Sequence, residues 1–216
     1  MIDLHTHTLL SDGVLVPSEL AARAKDAGYS GLAITDHVDS SNIESVIEKL
    51  LNFTSEFPND NGLRILAGVE LTHVQPARIG SLVKIARSLG AQIVVCHGES
   101  IVEPVAEGTN MAAVSAGVDI LAHPGLVTEE CARVAKENSV LFEITARSGH
   151  NYTNGHVAKI AEKTGVGLIL NSDAHAPSDL LTPELAKKIV LGAGITNNKY
   201  EEMRENASRL LKKTFH

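Results

Sequence analysis

The chain repeats one pattern seven times: a short apolar run, a polar tip carrying a His, Asp or Glu, then a longer amphipathic stretch. The apolar runs cover residues 2–4, 31–35, 64–71, 92–96, 119–122, 140–144 and 167–170. They are short, often β-branched and lack strict alternation, as expected of strands buried on both faces of a parallel sheet. Helices are expected over 17–27, 41–53, 76–89, 109–116, 128–137, 155–163, 182–190 and 200–213. Gly28, Gly90, Gly117 and Gly165 each stand between a helix and the next strand, where a chain leaving a helix favours glycine. No linker-like or low-complexity tract divides residues 1–216, so one domain is expected.

The tips decide how such units assemble. They read Leu4-His5-Thr6-His7, Thr35-Asp36-His37, Gly68-Val69-Glu70, Val95-Cys96-His97, Leu121-Ala122-His123, Leu141-Phe142-Glu143 and Asn171-Ser172-Asp173-Ala174-His175. An open sheet gathers its ligand residues at the one crevice where strand order reverses. Ionisable groups at the end of every strand make sense when all the ends converge, as in a βα barrel. The expected fold is therefore α/β, a TIM-like (β/α)7 barrel with its site at the C-terminal ends of the strands.

Ten of the 216 residues are histidine, and six of them lie at these tips or beside them. Crowded imidazoles and carboxylates are costly to desolvate unless a cation sits among them. Imidazole and carboxylate donors without thiolate select Zn, Mn or Fe. Cys96 adjoins His97 and so points to the opposite side of its strand. Nine candidate ligands result: His5, His7, Asp12, His37, Glu70, His97, His123, Asp173 and His175. They are too many for one ion and enough for two or three.

Composition removes other classes. Aromatics are 3% of the chain and the formal net charge is -7, which argues against stacked-base or broad electrostatic recognition of nucleic acid, so no stable nucleic-acid partner is expected. Two cysteines, no membrane-length apolar run and no basic leader ahead of Met1–His5 give the expectation of a soluble, cytoplasmic protein with no membrane partner. The oligomeric state is left open.

The motif blocks Asp3-Leu4-His5-Thr6-His7-Thr8 with Ser11-Asp12-Gly13, Ile34-Thr35-Asp36-His37, Gly68-Val69-Glu70, Ala122-His123-Pro124-Gly125 and Ser172-Asp173-Ala174-His175 resemble the PHP (polymerase and histidinol phosphatase) family of metal-dependent phosphoesterases. The likeness runs from Asp3 to about Asp179. It implies a distorted seven-stranded barrel with a trinuclear site. Carried over by position, His5, His7, Glu70 and Asp173 would hold a first metal, and Glu70, His97 and His123 a second, with Glu70 bridging. Asp12, His37 and His175 would hold the third.

Such a centre would present a bridging hydroxide for in-line attack on a phosphate ester. Three divalent ions against the carboxylates of Asp12, Glu70 and Asp173 leave a surplus of about three positive charges, which favours an anionic substrate. Glu70, Asp173 and His73 are the candidate catalytic residues, His73 as proton donor to the leaving alkoxide. Arg147 and Arg78 are candidates for a phosphate clamp, and His150 and His156 in the loop 148–156 for reading the leaving group. Asn154 in that loop is alternatively a helix cap. Glu143 would position substrate or a metal-bound water, or alternatively orient a ligand histidine, and Asp36 would support a ligand from behind. His216 is given no role. The expected activity is hydrolysis of a small phosphorylated metabolite or nucleotide, mono- or diester, of the kind histidinol phosphatases perform. Amide or lactone hydrolysis and a non-catalytic metal-binding module are the alternatives.

Overall fold

A computed structural model describes residues 1–57 and 62–213; His216 lies outside the described residues. The chain forms a parallel sheet rolled almost into a barrel, with eight helices around it among the described residues. The strands are β1 (Ile2–Asp3), β2 (Gly31–Ile34), β3 (His37–Val38), β4 (Arg64–Leu71), β5 (Ile93–His97), β6 (Ile120–Ala122), β7 (Leu141–Thr145) and β8 (Leu168–Asn171). The helices are α1 (Pro17–Asp26), α2 (Ile43–Glu56), α3 (Pro76–Ser88), α4 (Thr109–Ala116), α5 (Glu129–Glu137), α6 (Asn154–Thr164), α7 (Pro183–Gly192) and α8 (Asn197–Lys213).

Strand order is β1-β2-β4-β5-β6-β7-β8, each neighbour parallel. The extra strand β3, not foreseen from the sequence, resumes pairing with β4 after a break at Thr35-Asp36 and sets His37 opposite Glu70. Between β1 and β8 closure is partial. The His7 amide donates to Ala174 O at 2.8 Å and the Asp173 amide to His5 O at 3.1 Å. Lower down, side chains replace the ladder: the Leu4 amide donates to Asn171 Oδ1 at 2.9 Å, and the Ser172 amide to the Asp3 carboxylate at 3.2 Å.

Alternation along each strand divides the core in two. Leu4, Ala33, Leu66, Ile93, Val95, Ile120, Ala122 and Ile169 fill the barrel interior. Their neighbours, including Ala67, Val94, Cys96 and Phe142, face the helices in an outer layer. Each large interior side chain contributes on the order of 1.5–3 kcal/mol through burial. Helix α8 seals the open seam: Ala207 and Leu211 join the interior cluster, and Asn206 Nδ2 donates to Leu168 O at 2.9 Å.

The local signals act as the sequence suggests. Pro17, Pro76 and Pro183 start α1, α3 and α7, and the Thr128 and Thr182 hydroxyls cap α5 and α7 by accepting amide bonds from Cys131 and Leu185. Gly117 and Gly165 end α4 and α6 in the left-handed conformation. Among the described residues, no helix is long and apolar enough to cross a membrane.

Candidate metal centre

The layer above the apolar interior is made of the strand tips. His5, His7, Glu70, His97, His123, Glu143 and Asp173 are all at least 97% buried there. At its heart His5 Nε2 lies 3.3 Å from Glu70 Oε1 and 3.7 Å from Asp173 Oδ1. His7 Nε2 lies 3.2 Å from the same Asp173 oxygen and 3.7 Å from Glu70 Oε2. Donor atoms bound tetrahedrally at about 2.0–2.1 Å stand about 3.3–3.4 Å apart; ligand atoms of His5, His7 and Glu70 lie within 4.8 Å of one another, as do those of His5, His123 and Asp173, two groups that share His5. His123 Nε2 closes on the group at 3.6 Å from Asp173 Oδ2 and 3.8 Å from Glu70 Oε1.

Hydrogen bonding points the same way. His5 Nε2, both ring nitrogens of His7, His123 Nδ1, Glu70 Oε1 and Asp173 Oδ1 are buried without a hydrogen-bond partner among the described residues. Orphaned buried polar atoms cost about 1–3 kcal/mol each, and a shared cation removes that cost. The donor set therefore fits a divalent ion.

Further clusters flank it. Asp12 Oδ1 lies 3.4 Å from His37 Nε2 and 3.2 Å from His175 Nε2, and with His7 these side chains bring ligand atoms within 4.8 Å of one another. His97, His123 and His150 form another group within the same span. In total the nine expected ligands gather at one end of the barrel, and His150 joins them.

The electrostatics are divided. Burial alone would raise Glu70, but His5 and His37 beside it hold its carboxyl well below the usual range. Burial raises Asp173. Burial disfavours charge on His5, yet Glu143, Glu70 and Asp173 raise it well above the ordinary imidazole value. Burial pushes His7 and His123 well below it, reinforced by His37 and His97 respectively. Those two rings are thus neutral, the form that binds a metal.

Surrounding groups hold the ligands in place. The carboxylate of Asp36 accepts from the Thr8 amide at 2.7 Å, the Thr8 hydroxyl at 2.8 Å and the Ser11 hydroxyl at 2.7 Å, which fixes the turn that carries Asp12. His175 is set by Asp179, whose Oδ2 accepts from the His175 and Ala176 amides at 3.0 Å. His73, His123 and Asp173 have positive φ values of 52°, 26° and 55°, strain of a kind that gathers at functional sites.

The other expected residues divide. His73, His150 and Arg147 line a mouth cavity of about 240 Å³ together with Thr72 and Glu103. Arg147 Nη1 is 3.3 Å from Asp179 Oδ2, so its guanidinium is tied to the group that sets His175. Arg78 is exposed at the start of α3 and is not among the residues lining that mouth. His156 also lies outside it, donating from Nε2 to Val127 O at 2.8 Å. Glu143 is fully buried behind His5, its Oε1 2.9 Å from His5 Nδ1. Asn154 is the first residue of α6, not its cap, and its amide group pins Thr145 N and O at the end of β7. Glu103 was not expected. It sits six positions past His97 in a loop, on no strand tip, and no motif marked it. A larger cavity of about 520 Å³ lies between α7, α8 and the β1–β8 seam, but it lacks converging imidazoles.

A family model described as the PHP domain matches residues 3–213. The chain belongs to the PHP family. An uncharacterized protein of Methanocaldococcus jannaschii is 50% identical over 201 residues, 92% of either chain. Ribonuclease P protein component 3 of Methanosarcina mazei is 30% identical, covering 80% of this chain and 72% of its own. A probable phosphatase of Clostridium novyi is 29% identical, covering 81% and 79%. Among solved structures, a chain of archaeal ribonuclease P with mature tRNA superposes with TM-score 0.71 at 16% identity, over 98% of this chain and 90% of that one. Histidinol phosphate phosphatase from Lactococcus lactis, complexed with zinc, L-histidinol and phosphate, gives 0.62 at 15% identity over 90% and 94%. At these identities the two structures establish a shared barrel fold only.

Proposed function

We propose that this PHP chain is a metal-dependent phosphoesterase acting on a small phosphorylated metabolite or nucleotide, as a mono- or diester. The observation that carries the reading is the buried set His5, His7, Glu70 and Asp173, with His–carboxylate separations of 3.2–3.7 Å and unpartnered ligand atoms. Divalent ions of the Zn, Mn or Fe type, when bound, supply Lewis-acid polarisation of a phosphoryl group and an activated water. Two or three of them fit the donor clusters, the third against Asp12, His37 and His175.

The chain's own residues do the rest. Glu70 sits between the clusters, within 4 Å of His5, His7, His37 and His123, and is the group that joins one position to the next. Arg147, at the rim, offers guanidinium protons to a non-bridging phosphate oxygen while Asp179 keeps it oriented. His73 is 42% exposed in the same mouth, its Nε2 3.1 Å from Glu103 Oε2. No lysine lines the mouth among the described residues, so a carbamylated lysine of the kind amide hydrolysis can use has no counterpart there.

The test is a panel of phosphate mono- and diesters, lactones and amides with Mn²⁺, Zn²⁺ or Fe²⁺. Phosphate release abolished by chelator and restored by metal supports the reading; turnover of lactones or amides alone rejects it. A second reading, a protein subunit of a ribonucleoprotein, is favoured by the relatives named ribonuclease P protein component 3. Its mark would be tight binding of structured RNA by a chain that turns over no ester. The net charge of -7 weighs against it.

A further inference from the structure

We propose that Glu103 and His73, together with His97, form a divalent-cation position at the rim of the centre, with Glu103 as a metal ligand. The inference rests on the metal-dependent reading above and extends its ligand set. Glu70 reaches His5, His7, His37 and His123, whereas the carboxylate beside His97 is that of Glu103. His97 Nε2 lies 3.2 Å from Glu103 Oε2, and His73 Nε2 lies 3.1 Å from the same oxygen. Ligand atoms of these three residues fall within 4.8 Å of one another. Their separations approach the roughly 3.3 Å edge of a tetrahedral zinc site.

His97 is 97% buried and its Nδ1 lies 3.0 Å from Gly98 O, a carbonyl that can only accept. Nδ1 therefore carries a proton, which leaves Nε2 as the ring atom that faces Glu103. On the other side His150 Nε2 approaches Glu103 Oε1 at 3.3 Å, while its Nδ1 is held 2.7 Å from Ser100 Oγ. Three imidazoles thus aim Nε2 at one carboxylate. One cation among them would meet the carboxylate and the imidazole nitrogens together. Two imidazoles and one carboxylate also leave a coordination place for water or substrate, as open catalytic sites do. Residue 73 holds a left-handed backbone at φ 52°, as do His123 and Asp173 in the layer below.

The experiment compares the full chain with Glu103→Gln and His73→Ala. Both side chains are more than a third exposed, so folding should survive, and circular dichroism of the metal-free forms checks it. Zn²⁺ and Mn²⁺ are titrated calorimetrically, and retained ions are counted by mass spectrometry after dialysis. The proposal expects each variant to lose one ion per chain, or to bind one class of ion at least tenfold more weakly, with the other class unchanged. Glu103→Asp should restore part of the loss. Equal ion count and affinity in all forms overturns the rim site while leaving the phosphoesterase reading intact. An unaltered chain that retains no metal overturns both.

Discussion

His5 and Glu143 form a buried pair in which His5 Nδ1 lies 2.9 Å from Glu143 Oε1, leaving Nε2 to face Glu70 and Asp173. The same oxygen accepts from Asn171 Nδ2 at 2.8 Å, and Oε2 accepts from the His123 amide at 3.2 Å. One carboxylate therefore fixes the ring orientation of one ligand and the backbone of another. Partners of this kind fix a ligand's ring orientation and tune metal affinity. Glu143→Gln should lower the affinity of the tightest ion by roughly 10–100-fold with the barrel intact. Metal titration with circular dichroism checks it, and an unaltered affinity would mean that Glu143 does not hold His5.

Asp36 should matter for both stability and the Asp12 cluster. Removing its carboxylate leaves the Thr8 amide and the Thr8 and Ser11 hydroxyls without their acceptor. Asp36→Ala should cost about 1–3 kcal/mol in denaturant unfolding and loosen the ion held near Asp12, His37 and His175. A variant of unchanged stability and ion content would show that the turn is fixed by other means.

Metal binding should depend on pH in a definite direction. In the metal-free chain His5 is raised by Glu143, Glu70 and Asp173 against its burial, and His37 is raised chiefly by Glu70. Both hold protons above the usual imidazole range, and an incoming cation must displace them. His7 and His123, held low by burial, are already neutral and release nothing at neutral pH. Affinity should therefore rise from pH 6 to 8, with about one or more protons released per chain. Calorimetry in two buffers of different ionisation heat measures the release. Affinity independent of pH across that range would contradict the protonation pattern.

Gly125 tests the turn that delivers His123. Its φ is +63°, and a Cβ there would overlap the carbonyl of Glu99. Gly125→Ala should destabilise the chain by about 1–3 kcal/mol and shift the loop after His123. Thermal unfolding and metal content report the two effects separately, and a variant with native melting and native ion content would contradict the crowding.

The barrel could be read in advance because each strand carries its own evidence: an apolar run, then His5, His37, Glu70, His97, His123, Glu143 or Asp173 at its end. Convergence followed from seven repetitions, and the alternation that turns Cys96 outward turns His97 inward. Strand β3 escaped because two residues, His37 and Val38, are too short a run to show a period. The choice for Glu143 stayed open for a different reason: a strand tip looks the same whether its carboxylate faces the cavity or orients a ligand histidine from behind. Arg78 and His156 were expected near substrate because loops after strands face the mouth, but their side chains turn to solvent and to Val127. Glu103 left no trace, since the path of the loop from residue 98 to 108 decides where it points and no periodic pattern encodes that path.

Crystals of the chain grown with Mn²⁺ or Zn²⁺ offer the most direct measurement, with anomalous scattering collected at the metal edge. The account requires a strong peak within about 2.0–2.2 Å of His5 Nε2, His7 Nε2, Glu70 and Asp173, with further peaks against the flanking clusters. No anomalous peak among those four residues, at metal concentrations that saturate the solution activity, would contradict it.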